Sequence, residues 1–152
     1  MRKNTLIVIL TLLITLTGLL FGQNALTKVV KTQSILVKGS ITVVFYFHRG
    51  VDDFVSYKFE TYTKEAIYDN FSDELIDRTL LFKAINVNER LNKHYIKDYQ
   101  LYAKSVVLAK LKNGQIIKYK NLDKVWSLFS NRKNFQEYIK SETANFLKQG
   151  AN

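Results

Sequence analysis

The chain has 152 residues, 47% of them hydrophobic and 24% charged, which suits one domain with a true core and excludes a wholly disordered chain. It holds no Cys and no Pro, which excludes disulfides, thiolate metal sites, iron–sulfur clusters, thiol nucleophiles and cis-Pro turns. It is a basic protein of net charge +10, but its lysines run through every segment, from Lys28 and Lys58 to Lys133 and Lys148, as on a solvated surface rather than a nucleic-acid stripe.

Met1-Arg2-Lys3-Asn4 is a positive head, and the 18 residues Thr5 to Gly22 carry no charge. A basic head, an apolar run and a polar exit predict a signal peptide over 1–25. The alternative is an uncleaved membrane anchor, since a run of that length just spans a bilayer. Neither Gly22 nor Ala25 ends an A-x-A cleavage pattern. In both cases the expectation is an exported protein, periplasmic or extracellular, or else anchored with its domain outside the cytoplasm. Membrane contact is then expected only through the N-terminal segment.

Residues 26–40 alternate weakly and read as a linker or edge strand. "ITVVFYF", Ile41 to Phe47, is a continuous β-branched and aromatic run, as expected of a strand buried on both faces. From Phe54 the period becomes helical, with Val55, Phe59, Tyr62, Ala66 and Ile67 inward, Glu60 paired with Lys64 outside, and Asp53 as N-cap. "SDELIDR" predicts a short helix capped by Ser72. "LLFKAINV", Leu80 to Val87, is the second strand. Glu89 to Gln100 reads as a helix with Leu91, Tyr95 and Tyr99 inward.

Ser105 to Leu111 and Gln115 to Lys120 flank Asn113-Gly114, a strong hairpin signal because both turn residues tolerate positive φ. The densest basic cluster, Lys110, Lys112, Lys118 and Lys120, falls on it. Leu122 to Phe129 and Phe135 to Leu147 are helical, the latter with Phe135, Ile139 and Phe146 on one face. The order β-α-β-α-β-β-α predicts an α/β domain over 41–149, a central mixed sheet flanked by helices. That layout is the one expected of a thioredoxin-like fold.

Three patterns invite a site and fail. His48, Asp53 and Ser56 are the residue types of a hydrolase triad, but Ser56 falls inside a helix and nothing places His48 between the other two. Asp52, Asp53 and His48 offer hard metal ligands without a second cluster. Tyr95 to Lys104 interleaves aromatics with lysine, as single-strand nucleic-acid platforms do, but core packing accounts for the aromatics. No nucleic acid, metal or cofactor is expected, and the 6 glycines form no phosphate loop.

"YFH" before the first helix, "YTKEAI" within it, "DEL" after it, "NVNERLNKHYIKDYQLYAKSVVL" and "KNLDKVW" together resemble the thioredoxin-like ArsF family, described as nitrophenyl compound nitroreductase subunits. The resemblance runs from about Val44 to about Leu147. The family's loop reads approximately F-H-G-x-x-R-C-x-x-C-K. Phe47 and His48 match it, Asp53 falls on the first cysteine and Ser56 on the second. Ser105 falls near the place where thioredoxin folds carry a cis-Pro.

A Cys-x-x-Cys pair works because the helix N-terminus stabilises a thiolate, which attacks a disulfide and is then resolved by its partner. Asp53 and Ser56 can do neither, so thiol–disulfide exchange by this chain's own residues is excluded. The resemblance therefore implies a degenerate active site. The expected function is non-enzymatic binding of a protein or peptide in the cell envelope through that face. Its contact residues would be His48, Arg49, Asp52, Phe54, Tyr57 and Ser105. Phe54 and Tyr57 flank the old dithiol position and would be contact points if exposed; the alternative is that Phe54 packs under the first loop. The alternative is an accessory subunit of an envelope nitroreductase or thiol oxidoreductase system.

Overall fold

The computed structural model describes residues 39–50 and 53–149. The expected signal or anchor at 1–25, nearly all of the linker at 26–40, and Asp52 lie outside the described residues. Among the described residues no helix is long and apolar enough to cross a membrane.

Four strands form one mixed sheet: β1 (Ser40–His48), β2 (Leu80–Asn86), β3 (Ser105–Lys112) and β4 (Gln115–Asn121), in the order β2-β1-β3-β4. β1 pairs parallel with β2 and antiparallel with β3, and β3 pairs antiparallel with β4. Five helices accompany it: α1 (Phe54–Tyr68), α2 (Ser72–Ile76), α3 (His94–Asp98), α4 (Val125–Leu128) and α5 (Arg132–Lys148).

β1 is central, and both its faces are covered. Val44 and Tyr46 pack with Phe59 and Ile67 of α1 and with Phe135, Ile139 and Phe146 of α5. Val43, Phe45 and Phe47 pack on the other face with Val107, Tyr99 and Leu101. Side chains alternate along a strand, so an unbroken apolar run is what two covered faces require. α1 and α5 are further joined by Glu65, which accepts from Arg132 at 2.6 Å and from Gln136 at 2.7 Å.

Several expectations need correcting. The buried face of α1 is Ser56, Phe59, Thr63, Ala66 and Ile67, with Val55 and Tyr62 only half-buried. Two hydroxyl residues can occupy it because each donates locally: Thr63 Oγ1 to Phe59 O at 2.6 Å, and Ser56 Oγ to Asp53 Oδ2 at 3.0 Å. Among the described residues Glu60 and Lys64 form no ion pair; Lys64 Nζ lies 5.8 Å from the Tyr68 ring centre.

Ser72 is not the cap of α2. Phe71 is, with no side-chain bond, because its buried ring sets where the helix starts and Leu75 N–H already donates to Phe71 O. The helix expected from Glu89 shrinks to His94–Asp98, and Leu91 is 80% exposed rather than inward. Asparagines cause this. Asn92 Nδ2 donates to Asn86 O, and Asn88 N–H donates to Asn86 Oδ1, each at 3.0 Å, so turns replace the first helical bonds. Of the stretch Leu122 to Phe129 only Val125–Leu128 is helical, while α5 starts earlier than expected, at Arg132, with Asn131 Oδ1 accepting from Asn134 N–H.

The hairpin is as its sequence requires. Asn113 and Gly114 have φ of 53° and 77°, both in the left-handed region that a tight two-residue turn uses.

Candidate functional site

The C-terminal end of β1, the start of α1 and the start of β3 meet at one end of the sheet. The register dictates this, since Phe47 lies opposite Ser105. Between β1 and α1 the chain turns at Gly50, whose φ of 141° suits glycine. Gly50 N–H donates to His48 Nδ1 at 3.3 Å, and the His48 ring stacks on Tyr46 with centroids 5.4 Å apart.

Asp53 is the N-cap of α1. Its Oδ1 accepts from Ser56 N–H at 2.8 Å, satisfying one of the helix's open donors. The Ser56 hydroxyl lies 3.0 Å from Asp53 Oδ2 and 3.3 Å from Gly50 O, sharing its proton between them. Lys104 Nζ then donates to the same Oδ2 at 2.6 Å from a position 51 residues away in the chain. The Lys104 ammonium first, and then the Ser56 N–H, hold the Asp53 carboxyl down at about 2.

Lys104 is itself fixed. Its carbonyl accepts from Trp126 Nε1–H at 3.1 Å, and the indole packs 4.9 Å from the ring of Phe59. Beneath, Tyr46 donates its phenolic proton to Ser56 O at 3.2 Å, and burial pushes the Tyr46 hydroxyl up to about 12. A small hollow of about 60 Å³ opens beside Lys104, bordered by Gln100, Tyr102, Ser105, Asn121 and Trp126.

Phe54 and Tyr57 project outward from the first turn of α1. They are 69% and 63% exposed, so the alternative that Phe54 packs under the first loop is corrected. A surface cation, Lys58 Nζ, sits 4.3 Å from the Phe54 ring centre. Arg49 is also exposed, and its carbonyl accepts from Asn88 Nδ2 at 2.6 Å. His48 and Ser56 are buried and support the surface from below rather than forming it. Ser105 is half-buried, with its hydroxyl donating to Ala103 O at 3.0 Å.

This arrangement is not a hydrolytic one. Ser56 is buried with its proton committed, and His48 Nδ1 is occupied by Gly50 N–H. Among the described residues no group of three metal-ligating side chains converges. What the geometry offers is a charged, aromatic-edged surface held by a stiff N-cap.

Sequence reasoning missed Lys104, Tyr102 and Trp126. The sequence presents Lys104 only as part of a lysine–aromatic run. Its ion pair follows from β3 running back beside β1, which no local pattern encodes. No protein-family model matches this chain, and no curated protein matches it.

Proposed function

We propose that this chain is an exported, thioredoxin-like domain, similar to the ArsF family, in which an Asp53–Lys104 ion pair stands where redox members carry their dithiol. On this reading it binds an envelope protein or peptide through that face and performs no chemistry of its own there. The β2-β1-β3-β4 order, one parallel and two antiparallel pairings, and helices on both faces support the fold part of this reading.

The observation that carries the binding part is the exposure of Phe54 and Tyr57 beside a rigid cap. Large aromatic side chains left in water are costly, and rigid ones lose little entropy on docking, which is why they anchor interfaces. Asp53 and Lys104 add a fixed dipole of charges that selects register more than it adds affinity.

A photo-reactive amino acid at Phe54 in the full chain, expressed in its native cell, tests this. The expected result is one dominant envelope partner, whose affinity for the purified chain falls at least about tenfold with Phe54→Ala and Tyr57→Ala together. A membrane oxidoreductase as that partner would make the chain an accessory subunit. No partner, or one indifferent to both changes, overturns the binding role.

A further inference from the structure

The two ends of the sheet carry different chemistry. β1 runs from Ser40 to His48, with Ser40 opposite Lys112 and Phe47 opposite Ser105. The Asp53–Lys104 end and the hairpin end are thus separated by the length of β1, about 27 Å at ~3.3 Å per residue.

At the hairpin end Lys110 lies directly opposite Lys118 across the β3–β4 pair. Lys112 follows two residues along β3, on the same face of the sheet. Together with Gly39, Ser40 and Ile117 they border a broad, open concavity. Among the described residues no carboxylate lies within 4.0 Å of these three ammonium groups; Lys118 donates instead to the neutral Gln149 Oε1 at 2.7 Å. Like charges facing each other across a strand pair repel. An external counter-charge would relieve that repulsion. Ile116 and Ile117 are exposed among these lysines.

We infer that Lys110, Lys112 and Lys118, with Ile117 among them, form a docking surface for an anionic phospholipid bilayer. Ammonium groups around an exposed aliphatic side chain suit the boundary between phosphates and acyl chains, where the charges meet headgroups and the isoleucine leaves water. A soluble polyanion would use the lysines and leave the isoleucine without a role. The place where the chain enters the fold points the same way. Gly39 borders the concavity, and residues 23–38 connect it to the uncharged run that ends at Gly22. Those 16 residues span at most about 55 Å even when fully extended. This last step rests on the second of the two readings of 1–25, the uncleaved membrane anchor, and not on the cleaved signal peptide. Docked this way, the domain turns its Asp53–Phe54 end away from the bilayer, towards a partner.

The absence of cysteine allows a single label to be placed without background. The full chain carrying Gln115→Cys at the hairpin, or Asp123→Cys beyond the far end of β4, is labelled with an environment-sensitive fluorophore. It is then incorporated into phosphatidylcholine bilayers with or without phosphatidylglycerol. The expected result is that position 115, but not 123, is shielded from an aqueous quencher only in the anionic bilayer. High salt should reverse this. Each Lys→Gln change at 110, 112 or 118 should weaken the contact about fivefold. Equal quenching at 115 in both bilayers overturns the inference. So does shielding by heparin without any response to phosphatidylglycerol, which would assign the cluster to soluble polyanions. Because the readout is at 115, failure here leaves the binding role of Phe54 and Tyr57 untouched.

Discussion

Lys104 Nζ and Asp53 Oδ2 lie 2.6 Å apart and join the start of β3 to the cap of α1. The carboxylate receives the lysine, a backbone N–H and a hydroxyl together. Three donors on one carboxylate take up most of its lone-pair sites, which makes it a structural clamp and a poor ligand or base.

Because the folded carboxyl sits at about 2 against an ordinary 3.8, the unfolded chain binds the extra proton first as pH falls. The clamp's contribution to stability is therefore whole above about pH 4 and is lost as pH drops through about 2. Lys104→Met should move the Asp53 titration, followed by carboxyl-carbon NMR, upward towards 3.8, with the Ser56 N–H still holding it partly down. An unshifted titration would show that the ion pair does not form in solution.

Asp53→Cys with Ser56→Cys should yield a reversible disulfide with a potential of roughly −270 to −120 mV. The proximity is favourable, since Ser56 Oγ already lies 3.0 Å from Asp53 Oδ2. A thiol introduced at position 53 would sit at the helix N-terminus, where the thiolate is stabilised. Redox titration with mass spectrometry reads the result. Two thiols that stay apart under mild oxidant would refute the proposed alignment with a dithiol fold.

The two buried tyrosines should respond oppositely to loss of their hydroxyls. Tyr46 donates to Ser56 O, so Tyr46→Phe should cost about 1 kcal/mol. Tyr99 OH is buried with no partner among the described residues, so Tyr99→Phe should be neutral or stabilising. Denaturant unfolding of both variants checks the contrast, and equal losses would contradict it.

Phe59 and Phe54 lie on opposite sides of α1. Phe59 is wholly buried among Trp126, Phe129 and Phe135, so Phe59→Ala should cost about 3–5 kcal/mol. Phe54→Ala should change stability by less than about 0.5 kcal/mol while weakening partner binding. A large stability loss at Phe54 would mean that its ring is packed and not presented.

Much of this architecture was readable from local pattern. The run Ile41 to Phe47 demanded a strand covered on both faces, Asp53 announced the start of α1, and Asn113-Gly114 announced the hairpin. Pattern failed where side chains compete with backbone. Asn86, Asn88 and Asn92 dissolved the first turns of the expected helix at Glu89, and buried Phe71 displaced Ser72 from its cap. Hydroxyls on a buried helix face, at Ser56 and Thr63, also escaped detection, because periodicity scores them as polar.

Composition and periodicity determined the α/β order, the central strand and the exclusion of thiol chemistry, because those depend on residue type and on spacing within a few turns. Tertiary structure decided the Asp53–Lys104 clamp, the Trp126 brace behind it, the exposure of Phe54 and the separation of the lysine-rich end from that face. The clamp arises when antiparallel β3 returns beside β1. That return brings together residues far apart in the chain, 51 positions for Asp53 and Lys104, and no local periodicity carries information over such a distance.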